Sequence, residues 1–194
     1  MKNKAVFLVL LALPFLLATP VAAQEQATLY CVAELEPVPF NEHSLPIGVS
    51  RVLSENCFST PAEAMAFITD GAVSLPLTAT QAETEVAYHQ YMTSSLTILS
   101  SYIVLQLYDS TDYRNLIYQY TGVLPCSYGS GYAASLGGTS YNDRAESGSA
   151  FAGCNKMVVA EHADFGGATL ECYPGCSTFG VLNNEVSAWY VIQQ

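Results

Sequence analysis

The stretch EHADFGGATLEC, residues 161–172, sets Phe165 directly before Gly166 and Gly167, between two runs of strand-like residues. A worn copy, DSTDYRNLIYQY, runs from 109 to 120. Aligning Phe165 with Tyr113 puts Glu161 on Asp109, Gly166 on Arg114 and Gly167 on Asn115. Further on, NNEVSA (183–188) falls on NDRAES (142–147). The offset is 52 at the aromatic and 41 at the Asn pair, so the first copy carries about eleven extra residues in its Gly/Ser-rich stretch SYGSGYAASLGGTS. A repeat of this kind demands two similar supersecondary units that pack together. The match of Gly167 to Asn115 has a steric reason, because glycine takes positive φ freely and asparagine is among the few other residues that tolerate it. Both copies therefore permit the same folded-over hairpin, with the aromatic two positions earlier lying over it.

The texture around the copies is that of short strands. From Leu96 onward Tyr, Gly and Ser are dense, and SYIVLQLY, NLIYQYT, AFAGC, NKMVVAE, GATLECY and SAWYVI read as strands separated by turns, a sandwich pattern. Residues 24–97 read differently, as a small α+β unit with a helical linker. ATLYCVAEL and GVSRVLSENCF look like strands and GAVSLPL like a short third one. STPAEAMAFITDG carries helix punctuation: Thr60 to cap, Pro61 at the first helical position, Glu63 to complete a capping box and Gly71 at C′, with Ala64, Phe67 and Ile68 on one face. TATQAETEVAYHQYMTS reads as a second helix.

EHADFGG followed by LNNEVSAW resembles the βγ-crystallin motif, an aromatic-x-Gly hairpin followed by an (N/D)(N/D)xx(S/T)S stretch. The cysteines in LECYPGC are also similar to those of the secreted bacterial peptidase-inhibitor family I36. The resemblance spans about residues 98–194. It implies a mainly β fold in which two Greek-key motifs form a βγ-crystallin-like sandwich, preceded here by the small α+β unit. The first copy departs from the pattern, with Arg114-Asn115 for Gly-Gly and Glu146 for the Ser/Thr.

The resemblance also implies two calcium sites between the paired motifs. One would use Asp143, Ser187 and the carbonyls of Asp109 and Arg144. The other would use Asn184, Glu146 and the carbonyls of Glu161 and Glu185, with Glu146 longer than the usual hydroxyl. These are the hard oxygen ligands calcium requires; the alternative is that Asn142, Asp143, Asn183 and Asn184 only satisfy turn amides. A second implied role is inhibition of a secreted peptidase, for which the Gly/Ser/Tyr-rich stretch between Cys126 and Asn142 is a candidate contact loop. A structural or adhesive extracellular module is a third. No G-x-S-x-G, HExxH or Cys/His pairing is present, so no catalytic residue is assigned.

The remaining features bound the setting. The chain opens MKNKAVFLVLLALPFLLATPVAAQ, with a basic start, an apolar Val6–Ala18 segment and small residues before Gln24, which reads as a signal peptide over 1–23. Without Lys2 and Lys4, four Lys and Arg face 17 Asp and Glu, a net charge of −13. That balance argues against nucleic acid and anionic membranes as partners and is compatible with divalent cations. All six cysteines lie after residue 23. An even count in an exported chain, extracellular or periplasmic, implies disulfides. Six thiols allow 15 pairings; the expected set is Cys31–Cys57 within the front unit, Cys126–Cys154 around the long stretch of copy one, and Cys172–Cys176 across a tight hairpin turn.

Overall fold

The structure, a computed structural model, describes residues 29–94, 101–127 and 129–194. The expected export segment 1–23 lies outside the described residues. The chain is mainly β, with two sheets and few helices. In chain order the elements are β1 (Tyr30–Leu35), β2 (Val38–Pro39), β3 (Val52–Phe58), α1 (Pro61–Ile68), α2 (Gln81–Ser94), β4 (Tyr102–Ser110), β5 (Arg114–Gly122), β6 (Ser130–Ser135), β7 (Ser147–Ala150), β8 (Lys156–Ala160), β9 (Thr169–Cys172), β10 (Gly175–Cys176) and β11 (Ala188–Ile192).

One sheet has the order β10-β7-β4-β5-β1-β3 and the other β2-β6-β11-β8-β9. Strands β4, β5 and β7 come from the first copy of the repeat, yet β10, from the second, sits at their edge. Conversely β8, β9 and β11 come from the second copy, and β6 joins them from the first. Each copy thus sends its third strand into the other's sheet, and neither sheet is completed by one copy alone. The strands are joined by alternating burial, and the main core lies between the sheets: Val104, Leu105 and Leu107 of β4 meet Met157, Val159, Trp189 and Val191 of the other sheet. Trp189 is fully buried, its ring 4.4 Å from that of Tyr120. Burying an aromatic of this size gives about 4–6 kcal/mol of gross apolar transfer.

The front segment is built into these sheets. β1 runs parallel to β5, with Cys31 opposite Tyr118, and β3 lies antiparallel outside β1. β2 extends the other sheet beside β6. The boundary near residue 97 therefore does not separate two sets of sheets. The physical reason is that an isolated β1–β3 ribbon is too small to bury its own faces, while the open edges of β5 and β6 offer unpaired backbone groups. Cys31 and Cys57, directly opposed across β1 and β3, are bonded, as are Cys126 with Cys154 and Cys172 with Cys176. The last bond ties β9 of one sheet to β10 of the other.

Two helices form a third layer on the outer face of the six-stranded sheet. α1 starts as its sequence dictates: Thr60 accepts from the Glu63 N–H, and the Glu63 carboxylate accepts from the Thr60 N–H. Hydrogen bonds from Ser59, and then from Thr60, hold the Glu63 carboxyl below its usual value. α2 repeats the device with Thr80 and Glu83. Four details depart from the expectations. The C′ residue of α1 is Asp70 (φ 50°), with Gly71 one position on; their N–H groups bond the carbonyls of Phe67 and Ala66 in a Schellman closure. The buried face is Ala62, Ala64, Met65 and Ile68, and Phe67 instead lies exposed with its ring 5.2 Å from Phe58. GAVSLPL is turn and irregular chain, because it follows the closure of α1 with no strand edge free beside it. AFAGC is strand only to Ala150, after which Ala152 and Gly153 turn the chain with positive φ.

The largest departure is in the Gly/Ser-rich stretch of copy one. Its middle is β6, an interior strand between β2 and β11 in which Tyr132 and Ala133 have no exposed surface. The glycine there is a packing requirement: a Cβ on Gly131 would stand 2.1 Å from the Val191 carbonyl oxygen and 3.1 Å from the Phe40 ring.

Candidate functional site

The two copies meet at their hairpins and their Asn/Asp stretches, and the backbone there repeats nearly angle for angle. Tyr113 (φ 56°) matches Phe165 (φ 66°), Asn115 (φ 58°) matches Gly167 (φ 74°), and Asp143 (φ 55°) matches Asn184 (φ 60°). The aromatics themselves thus occupy the left-handed region, a strain on the order of 1 kcal/mol each that the surrounding contacts hold in place. Phe165 N–H donates to the His162 carbonyl (3.0 Å), His162 N–H to Gly166 (3.1 Å) and Glu161 N–H to Ala168 (3.0 Å). The Phe165 ring packs against the cluster of Val38, Phe40 and Tyr190 on the outer face of the five-stranded sheet. Its counterpart Tyr113 meets Tyr108 edge-on at 5.8 Å.

The Asn/Asp stretches are locked to each other by paired main-chain bonds. Asp143 N–H donates to Val186, and Asn184 N–H to Ala145, each at 3.1 Å. Glu146 N–H donates to Tyr108 (2.8 Å) and Ser187 N–H to Ala160 (2.9 Å). Ala145 and Val186, between these bonds, have no exposed surface. Each copy is therefore registered against the other by bonds that neither can make alone.

This locking brings the expected side chains together in two places. In the first, Ser187 Oγ donates to Asp143 Oδ1 at 2.8 Å; Ser187 is buried and Asp143 exposed. Asn142 Nδ2 donates to the other Asp143 oxygen at 2.6 Å. The Arg144 guanidinium pairs with the Asp109 carboxylate at 2.6 Å, so both residues stand beside the site with their side chains engaged. In the second, Asn184 Nδ2 donates to Glu146 Oε1 at 2.8 Å, so the longer side chain does reach its partner. Glu161 Oε2 accepts from Ala168 N–H (2.9 Å) and closes its own hairpin, and Glu185 N–H donates to Leu182. Among the described residues no three His, Cys, Asp or Glu side chains gather as a metal-holding group. Each place thus offers one carboxylate and one amide or hydroxyl.

Sequence reasoning passed over a polar line on the outer face of the six-stranded sheet. Gln106 and Gln119 face each other across β4 and β5, buried, with Gln106 Nε2 donating to Gln119 Oε1 at 2.7 Å. The available signal was a single glutamine in each of two otherwise apolar strands, YIVLQLY and NLIYQY.

No family model matches the chain, and neither does any curated protein. Among solved structures, the chain is similar to the N-terminal domain of Protein S, at 20% identity over 46% of this chain and 96% of that one, with a TM-score of 0.36. It is also similar to a βγ-crystallin domain from Flavobacterium johnsoniae (21% identity, 47% of this chain, 96% of that one, TM-score 0.34) and to a βγ-crystallin from an archaeon (15%, 46%, 98%, 0.32). At these identities the likeness concerns fold alone.

Proposed function

We propose that this chain is an exported, non-catalytic βγ-crystallin-like protein of two paired Greek-key motifs, and that it binds calcium where the copies meet, foremost at Asp143 and Ser187. One observation carries the reading: Asp143 Oδ1 and Ser187 Oγ, hard oxygen donors from different copies, stand 2.8 Å apart on turns locked by exchanged backbone bonds. The donors fit calcium in kind. With one carboxylate per site, the other ligands of a six- to eight-coordinate ion would be carbonyls, such as those of Asp109 and Arg144, and water. Such a low ligand charge corresponds to weak binding, with a Kd of about 10⁻⁴–10⁻³ M, the range of extracellular modules. The net charge of −11 raises the local cation concentration. Bound ion would replace the Ser187–Asp143 hydrogen bond with a cross-link between the copies. The three disulfides fit the non-reducing compartment that export would supply.

The test is calcium titration of the oxidised chain by calorimetry, with thermal melts alongside. Saturable heat and a rise in Tm with calcium are expected, by mass action on the folded state. Asp143→Ala should weaken binding more than Glu146→Ala. Equal, negligible effects of both changes would reduce these stretches to structural turns. Peptidase inhibition gains less from the geometry, because the stretch proposed as its contact loop is occupied by the interior strand β6.

A further inference from the structure

We infer that the space between the helical layer and the six-stranded sheet is a binding site for a small, uncharged ring compound bearing one carbonyl acceptor. The cavity holds about 220 Å³, walled by Ala64, Met65 and Ile68 of α1, by Thr84 and Tyr88 of α2, and by the outer face of β4 and β5. That is room for about seven waters at their liquid volume. It lies below the ~300–1,000 Å³ of sites for drug-sized ligands, so the occupant is of single-ring size. Tyr30, Tyr113 and Phe151 give it aromatic walls.

Two features make this more than a packing gap. First, its floor is a directional hydrogen-bond relay that ends in a spare donor. The Tyr108 hydroxyl donates to Gln106 Oε1 (2.8 Å), and Gln106 Nε2 donates to Gln119 Oε1 (2.7 Å). Gln119 Nε2 is left without a partner, although Gln119 is only 4% exposed and lines the cavity. A buried amide donor without an acceptor is costly, and an acceptor entering the cavity recovers that cost. Second, no Asp, Glu, Lys, Arg or His is among the residues lining it, in a chain that carries 17 acidic residues. Neutral walls reject ions, whose desolvation nothing here would offset. A donor at the floor, apolar and aromatic sides, and no charge select a neutral molecule with one oxygen acceptor.

The test titrates the oxidised chain with acetophenone, with ethylbenzene, which has the ring and no acceptor, and with benzoate, which has the charge. Binding is read from the ¹⁵N-labelled side-chain amide of Gln119 and from the Tm. Acetophenone is expected to saturate the Gln119 Nε2 shift and to bind about five- to tenfold more tightly than ethylbenzene, the worth of one neutral hydrogen bond, with benzoate weakest. Gln119→Leu should erase the preference for acetophenone over ethylbenzene. Ala64→Leu, which fills the cavity from α1 and leaves the relay intact, should abolish binding of both, and it keeps the test decisive if Gln119→Leu does not fold. The inference is overturned if acetophenone does not saturate, if ethylbenzene or benzoate binds as tightly, or if Ala64→Leu binds like the parent. None of these readouts depends on calcium or on Asp143.

Discussion

Replacing Gly167 by valine tests the hairpin on which the pairing of the copies rests. Gly167 has φ +74°, where a β-branched residue is strained by about 1–3 kcal/mol. Space is also short. An added Cβ would stand 2.8 Å from Glu161 Oε2, 3.0 Å from Glu161 Cβ and 3.1 Å from the His162 ring. Glu161 would have to swing away and release the Ala168 N–H it now holds at 2.9 Å, a loss of about 1–2 kcal/mol for a charged acceptor on an exposed turn. Together these give about 2–5 kcal/mol, which for a chain of this size lowers Tm by roughly 4–20 °C. Gly166→Ala is the internal control. Gly166 is not at positive φ, and its Cβ would meet only the tip of the Asp164 side chain at 3.0 Å, so it should cost less than half as much. Asn115→Gly, at φ 58°, should stay near the parent: relief of strain is offset by added freedom in the unfolded chain and by the lost bond from Asn115 Nδ2 to Ser110 Oγ. Chemical-denaturation midpoints of the oxidised variants measure all three. If Gly167→Val unfolds within about 0.5 kcal/mol of the parent, neither the backbone strain nor the contact with Glu161 governs this turn, and the reasoning fails.

Gly131→Ala should destabilise by more than the ~1–3 kcal/mol of ordinary overpacking, because the methyl meets backbone, the Val191 carbonyl at 2.1 Å, and the β6–β11 ladder must open; a melt within ~1 kcal/mol of the parent would contradict that packing. A second prediction concerns alkaline pH. Burial holds the phenols of Tyr88, Tyr118, Tyr120, Tyr132, Tyr141 and Tyr190 above their usual value, with a hydrogen bond to Glu55 adding to the effect at Tyr118. A phenol whose pKa is higher in the folded state stabilises the fold below its unfolded pKa near ~10 and loses that contribution as pH rises past it. Absorbance at 295 nm should therefore show these six of the 13 tyrosines ionising only as the chain unfolds. Full ionisation near pH 10 with the circular dichroism of the native fold retained would refute it.

The residues themselves determined whatever is local. Thr60-Pro61-x-Glu63 fixes where α1 begins, since a cap needs only its own four residues. The match of Gly167 to Asn115 announces positive φ at both turns, because allowed backbone angles follow from side-chain sterics at one position. The pairing of Asp143 with Ser187 and of Asn184 with Glu146 was legible too, through the repeat, which states that two like units must meet. What the tertiary structure decided is how distant edges share backbone bonds. SYGSGYAAS has the composition of a loop, yet β6 is interior, because only a residue without Cβ fits against the Val191 carbonyl. Residues 24–97 read as a separate unit, yet β1 and β2 complete sheets whose other strands lie after residue 101, since open sheet edges recruit strands whatever their distance along the chain. Gln106 and Gln119 are 13 residues apart, and only the register of β4 on β5, under a roof of two helices, turns them into one buried relay.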